Sequence, residues 1–187
     1  MVLLKQTTMP EIQFRTTLYK INDWTILRLP EEASAKLPAR GQVMVKGSVN
    51  GYNFRSPLEP DGNWSHWLRV DDMAKAAKIK AGDTVNVSVE PIKEWSEPDV
   101  PADLLKALKS HPEQQKLWTD ITPLARWEWI RWIGSTSKSE TRQKRIEVAF
   151  SKMMHGERRP CCFNRSMCCV PAVSKSGVLL GPTSESK

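Results

Sequence analysis

What most constrains this chain is a succession of short alternating segments between Ile12 and Glu90, each ended by a turn signal. Ile12, Phe14, Thr16 and Leu18 alternate with polar neighbours, the period of a strand with one buried face. Trp24-Thr-Ile-Leu-Arg-Leu29 reads as a second strand, ended by Pro30, with one helical turn expected over 31–37. Val43-Met-Val-Lys-Gly-Ser-Val49 reads as a third. Asn50-Gly51 follows it, the dipeptide that best tolerates positive φ at both centres of a type I′ hairpin turn. Residues 52–55 return from that turn, Asp61-Gly62-Asn63 turns the chain again, and 64–70 forms a further strand. Asp71 is placed to cap a short helix over 72–79. Gly82-Asp83 then leads into Thr84-Val-Asn-Val-Ser-Val-Glu90, whose three valines face one side. Many short strands with Gly and Pro turns predict a barrel or sandwich.

The pattern changes after Glu90. Pro91, Glu94, Glu97, Pro98, Asp99 and Pro101 make a stiff polar stretch, as linkers do. The remainder reads as helical. Leu104, Leu105 and Leu108 share a side over 103–109, and Ser110-His-Pro-Glu113 has the form of a capping box opening a second helix that runs to about Trp118. Thr122 caps a third, with Pro123 in its first turn and its end at Gly134. Ser137-Lys-Ser-Glu140 is a second capping box, opening a helix that runs to about His155 before Gly156. The last dozen residues, rich in Ser and Gly, call for no regular structure. The expected class is therefore α+β: a small β-barrel over 1–97, a short helical segment over 98–156, and a basic, Cys-containing tail over 157–187.

With 187 residues and 40% hydrophobic content, a chain like this buries a core without needing disulfides. Its longest apolar runs, such as Val2-Leu3-Leu4, fall far short of the ~20 residues of a membrane span. Met1-Val-Leu-Leu-Lys5 lacks the apolar stretch of a signal peptide, so a cytoplasmic protein with no membrane insertion is expected. Residues 1–100 hold 13 basic and 13 acidic side chains, and 101–187 hold 15 and 8, so the whole net charge of +7 falls in the second part. That asymmetry points to an anionic partner for the helical part, or to a solvated basic surface.

A set of short elements in fixed order carries a family resemblance. In the first part these are Phe14-Arg15, Trp24, Leu29-Pro30, Leu37-Pro38, Arg40-Gly41, Gly47, Asn50-Gly51, Phe54-Arg55, Pro60-Asp61-Gly62 and Ala81-Gly82-Asp83-Thr84-Val85. In the second they are Pro101-Ala-Asp103-Leu104, Ala107-Leu108, the 123–133 stretch, Glu140-Thr141-Arg142 and Arg145-Ile146. Over roughly 10–156 the chain resembles the YdeI/OmpD-associated family, and Arg158-Arg-Pro-Cys-Cys-Phe163 is similar to a stretch in its members. Ser137 stands where the family has Ala. The resemblance implies a barrel of the double-split type, a fold shared with some bacterial DNA-binding switch proteins. It also implies a bacterial setting loosely tied to porin regulation and bacteriocin protection. It brings no catalytic residues.

Two constellations carry chemistry. Lys138, Arg142 and Arg145 are spaced four and three apart, on one helical face, with Arg131 and Trp127 on the preceding helix. A cationic row beside aromatics suits phosphate contact and base stacking, so nucleic acid or another polyanion is one expected partner. The competing reading pairs Arg142 with Glu128 or Glu140 and puts Trp129 and Trp132 in the core, leaving Trp127 more exposed. In a third reading, Trp127 and the arginines form a hot spot for a protein partner. The second constellation is Cys161-Cys162 and Cys168-Cys169, with His155 nearby, a weak candidate for zinc or copper(I). The spacing is not the C-x-x-C of zinc ribbons, and incidental thiols are the alternative. Catalysis finds little support. Ser135-Thr-Ser-Lys138 fits S-x-x-K without its partner motifs, and His66 is expected packed in a strand.

Overall fold

The computed structural model describes residues 10–160 and 170–183. It divides into two compact units: Met1–Glu94 with Ala172–Lys187, and Trp95–Pro171.

The first unit is a curled antiparallel sheet of seven strands: β1 (Ile12–Thr17), β2 (Tyr19–Ile21), β3 (Trp24–Arg28), β4 (Val43–Val49), β5 (Tyr52–Pro60), β6 (His66–Arg69) and β7 (Thr84–Pro91). Their order is β1-β7-β4-β5-β6-β3-β2. The two outermost strands, β1 and β2, are separated only by Leu18, so they are one bent strand that pairs with β7 on one side and β3 on the other. The bend is held by Leu18, whose N–H donates to the Asp83 carbonyl (3.0 Å) and whose carbonyl accepts from Gly82 (2.8 Å). The result is barrel-like, and closure of this kind leaves few unpaired edges.

Alternation decides what fills it. Val85, Val87 and Val89 of β7 are buried with Ile12, Val43, Val45, Val49, Leu58 and Leu68. Helix α1 (Glu31–Ser34) adds Ala33 and the following Leu37, and α2 (Asp71–Ala77) adds Ala74. Each buried Val or Leu contributes about 1.5–3 kcal/mol. The Asn50-Gly51 turn has φ of 47° and 85°, as a type I′ hairpin needs.

Three local expectations change. Strand β6 begins at His66, because Trp64 sits in the left-handed region at φ 66° and cannot extend the strand. Asp71 begins α2 instead of capping it, and its carboxylate accepts from the Thr25 N–H (2.7 Å) and from Arg69 (2.5 Å). Residues 172–183, which include the first part of the last dozen for which no regular structure is expected, join the sheet unit. Val173 bridges Leu179, the Leu179 N–H donates to Asp61, and the Thr183 N–H donates to Lys20. Gly177 at φ 83° makes the turn that lets this segment pair with itself.

The second unit holds α3 (Ala102–Lys109), α4 (Pro112–Asp120), α5 (Pro123–Gly134) and α6 (Ser139–Met154). Leu104, Leu108, Trp118, Trp129, Ile133, Ile146, Phe150 and Met153 form its core. Thr122 caps α5 by accepting from the Ala125 N–H at 3.3 Å, as expected. Neither capping box forms. Ser110 donates back to the Lys106 carbonyl and ends α3, leaving His111 at the start of α4. Lys138 precedes α6, and its N–H donates to the Thr136 hydroxyl. Among the described residues no helix is long and apolar enough to cross a membrane.

Candidate functional site

The cationic face of the helical unit is mostly engaged with the unit itself. Arg142 forms a forked ion pair with Asp103, at the start of α3, instead of with Glu128 or Glu140. That contact holds the Asp103 carboxyl below the usual carboxylate range. Arg145 donates to the Trp132 carbonyl (2.8 Å) and to the Ser135 hydroxyl, and its guanidinium lies 5.4 Å from the Trp132 ring. It thereby joins the Ser135 N–H and hydroxyl on a carbonyl at the C-terminus of α5, where a cation is favoured. Glu128 is buried and paired with Arg159 at 3.0 Å. Arg131 is half-buried in the last turn of α5. Trp127, expected to be the exposed tryptophan, is half-buried and donates its indole N–H to the Ser96 carbonyl at 2.7 Å. Of the candidate cations, Lys138 is exposed, ahead of α6.

Arg142→Ala is therefore expected to lower stability by about 1 kcal/mol, the value of a well-formed but half-exposed pair. The Asp103 carboxyl should return toward its ordinary range. Urea unfolding with carboxyl titration by NMR checks both, and a variant as stable as the parent would rule the pairing out as a stabilising contact.

Cys161, Cys162, Cys168 and Cys169 lie outside the described residues, as does Arg165. His155 follows α6 and donates its Nδ1–H to the Ser151 carbonyl at 2.7 Å.

His66 is sealed in the sheet unit at 1% exposure. Its Nε2–H donates to the Gly41 carbonyl (2.8 Å), which fixes the tautomer, so Nδ1 accepts from the Ser34 hydroxyl (2.7 Å). A serine beside a histidine invites a catalytic reading, but both side chains are buried and fully used in tying α1 to the 39–41 loop. Burial pushes the His66 pKa down, and the positive Arg40 adds to this. The Gly41 carbonyl and Asp61 act the other way. Below the ordinary histidine value, about 6.5, the unfolded chain takes up a proton that the folded chain resists. Stability should thus hold steady above that value and decline as the pH falls below it. His66→Gln should remove this slope. An unfolding midpoint flat between neutral and mildly acidic pH in the parent would contradict it.

The most exposed aromatic among the described residues lies elsewhere, in the turn after β5. Trp64 is 74% exposed and at φ 66°. A bulky residue in the left-handed region costs about 1–2 kcal/mol, so its surroundings must impose the shape. Asp61 imposes it. This carboxylate, 2% exposed, accepts from the N–H groups of Asn63 and Ser65, both at 2.7 Å, and is ion-paired with Arg28 at 2.7 Å. Burial alone would raise its pKa, but those two amides and Arg28 outweigh it and hold the carboxyl below its usual range. Arg40 completes the arrangement by donating to the Trp64 carbonyl (3.3 Å), with its guanidinium 5.7 Å from the indole. Ordinary period-two reading placed Trp64 inside the strand. The signal that marks it is Asp61 followed at two and four residues by Asn63 and Ser65, the spacing of a side chain that closes its own turn.

Two family models match the chain. That of the bacteriocin-protection, YdeI or OmpD-associated family matches residues 97–156. That of a domain of unknown function, DUF1905, matches residues 14–89. No curated protein matches. The first match falls within the helical unit and the second within the sheet unit, in the order the sequence resemblance implies. With this barrel-like sheet followed by its four-helix motif, the chain belongs to the YdeI/OmpD-associated family.

Proposed function

We propose that the protein is a non-enzymatic binding module, acting in the cytoplasm, that engages another protein through the Trp64 turn. The observation that carries this is a tryptophan held outward at 74% exposure in a strained backbone shape by a buried carboxylate. Strain of this kind lowers stability and persists where presentation of a side chain matters. Exposed Trp beside Arg is also the composition of an interface hot spot. A second reading keeps an anionic partner for the helical unit. It rests on exposed Lys138 and Lys144 near the start of α6, since Arg142 and Arg145 serve the fold.

Trp64→Asn separates the two. Asn accepts positive φ readily, so this variant should be as stable as the parent or more so, by up to about 1 kcal/mol. It should nevertheless lose protein captured from cell extract by the tagged parent. Lys138→Gln with Lys144→Gln should leave that capture unchanged. Capture indifferent to Trp64→Asn would sink the leading reading. Nucleic acid recovered with the parent, released by salt and lost in the lysine variant, would put the anionic reading in its place.

A further inference from the structure

Trp64 is not isolated. The Gly62 backbone lies against residues 177–178: a Cβ added there would run into the Gly177 carbonyl oxygen and come within 2.9 Å of the Val178 Cα. Residues 172–183 are further fixed at Leu179, which donates to Asp61, and at Thr183, which bonds to Lys20 and Asn22. This brings Val178 and Leu180, each 39% exposed and two residues apart on the same side of an extended segment, up to the turn that carries Trp64. Large apolar side chains left open and grouped in this way mark interaction surfaces.

Charge identifies the partner. Three segments converge at this place: 35–42 through Arg40, 61–65 through Trp64, and 172–183 through Gly177. They carry Lys36, Arg40 and Lys175, all exposed. Their one acid, Asp61, is buried in its ion pair with Arg28 and offers no charge to a ligand. Among the described residues, the exposed charges that these three segments bring to the patch are thus all cationic. Arg40 already lies over the indole, so an incoming carboxylate would meet it without reordering the side chain.

Resting on the reading of the Trp64 turn as a protein-binding surface, we propose that Trp64, Val178 and Leu180 receive an acidic protein segment. Apolar side chains of that segment would seat against the indole, and its carboxylates would meet Arg40, Lys36 and Lys175. Such pairs set specificity and encounter more than affinity, which the apolar seat supplies.

The test uses the full chain and follows the Trp64 indole N–H signal by NMR, assigned from a Trp64→Phe variant. The probes are a short synthetic peptide with Leu and Phe flanked by Glu and Asp, the same peptide with Gln and Asn for its acids, and an oligo-dT strand. The acidic peptide should move the Trp64 signal, with affinity at least about tenfold above the neutral one, as a few partly screened charge pairs produce. Lys36→Gln with Lys175→Gln, which leaves Arg40 beside the indole and the turn intact, should erase most of that advantage. Equal affinity for the neutral peptide overturns the acidic assignment while leaving a protein-binding surface standing. Tighter binding of oligo-dT overturns it in favour of nucleic acid. A Trp64 signal that no probe moves also overturns it, and the capture experiment with Trp64→Asn then decides separately whether the turn binds protein at all.

Discussion

Asp61→Ala should destabilise the sheet unit by about 3–5 kcal/mol, the loss expected when one partner of a buried ion pair is removed. Four bonds converge on this carboxylate: the Asn63 and Ser65 amides on one oxygen, and Nε and Nη2 of Arg28 on the other, all at 2.7–2.8 Å. Alanine leaves two turn amides and a half-buried guanidinium without their acceptor. Asp61→Asn keeps one acceptor oxygen and should cost less. The damage should also travel, because the Asp61 carbonyl accepts from the Leu179 N–H. Once the turn relaxes, the Leu179 and Thr183 amides should exchange with solvent faster than the core of β7. Urea unfolding with residue-level hydrogen exchange reads both effects. Unchanged exchange at Leu179 would mean that residues 172–183 do not depend on this turn. Acid should mimic the variant. The Asp61 carboxyl titrates below its ordinary range in the folded chain, so its stabilisation is present above the unfolded value and fades as the pH drops through the folded one.

The same residues explain what was legible in the sequence. Strands β1 and β7 follow from a period of two, β3 and β4 from short apolar runs ended by turn signals, and the hairpin from Asn50-Gly51, because all these signals are local. The start of α5 is local too, with Thr122 and Pro123. What failed depends on residues far apart. Arg28 lies 33 positions from Asp61, and without it the carboxylate reads as an ordinary turn residue. Arg142 meets Asp103 at a separation of 39, while the sequence offered closer glutamates. The two capping boxes have the right letters, yet Ser110 finds the Lys106 carbonyl one turn back, and the Ser137 box loses to a helix starting at Ser139. The candidate surface was missed for the same reason. Its tryptophan was counted into a strand and its other half lies over a hundred residues further along the chain. The basic charge was legible, but the partners that occupy the arginines were not.

Gly47→Ala is expected to open the sheet, although glycine-to-alanine changes inside a strand usually stabilise by about 0.5–1 kcal/mol. Gly47 lies in β4, opposite Phe54 of β5 on one side and Val89 of β7 on the other. A Cβ there would press into the Ser88 carbonyl oxygen and stand 3.1 Å from the Val89 Cα. Both are backbone atoms, so no rotamer change relieves the clash and β7 must move away from β4. That movement is costly because β7 carries Val85, Val87 and Val89 into the core and is the strand on which β1 pairs. With β1 and β2 forming one bent strand, a displaced β7 loosens the closure of the whole unit. The loss should reach the top of the overpacking range, about 3 kcal/mol. Gly41→Ala supplies the contrast, since a Cβ at Gly41 meets nothing within 4 Å. It should be neutral or slightly stabilising. Urea unfolding of the two variants side by side decides it: equal midpoints would show that β4 and β7 have slack that their close approach at Gly47 denies.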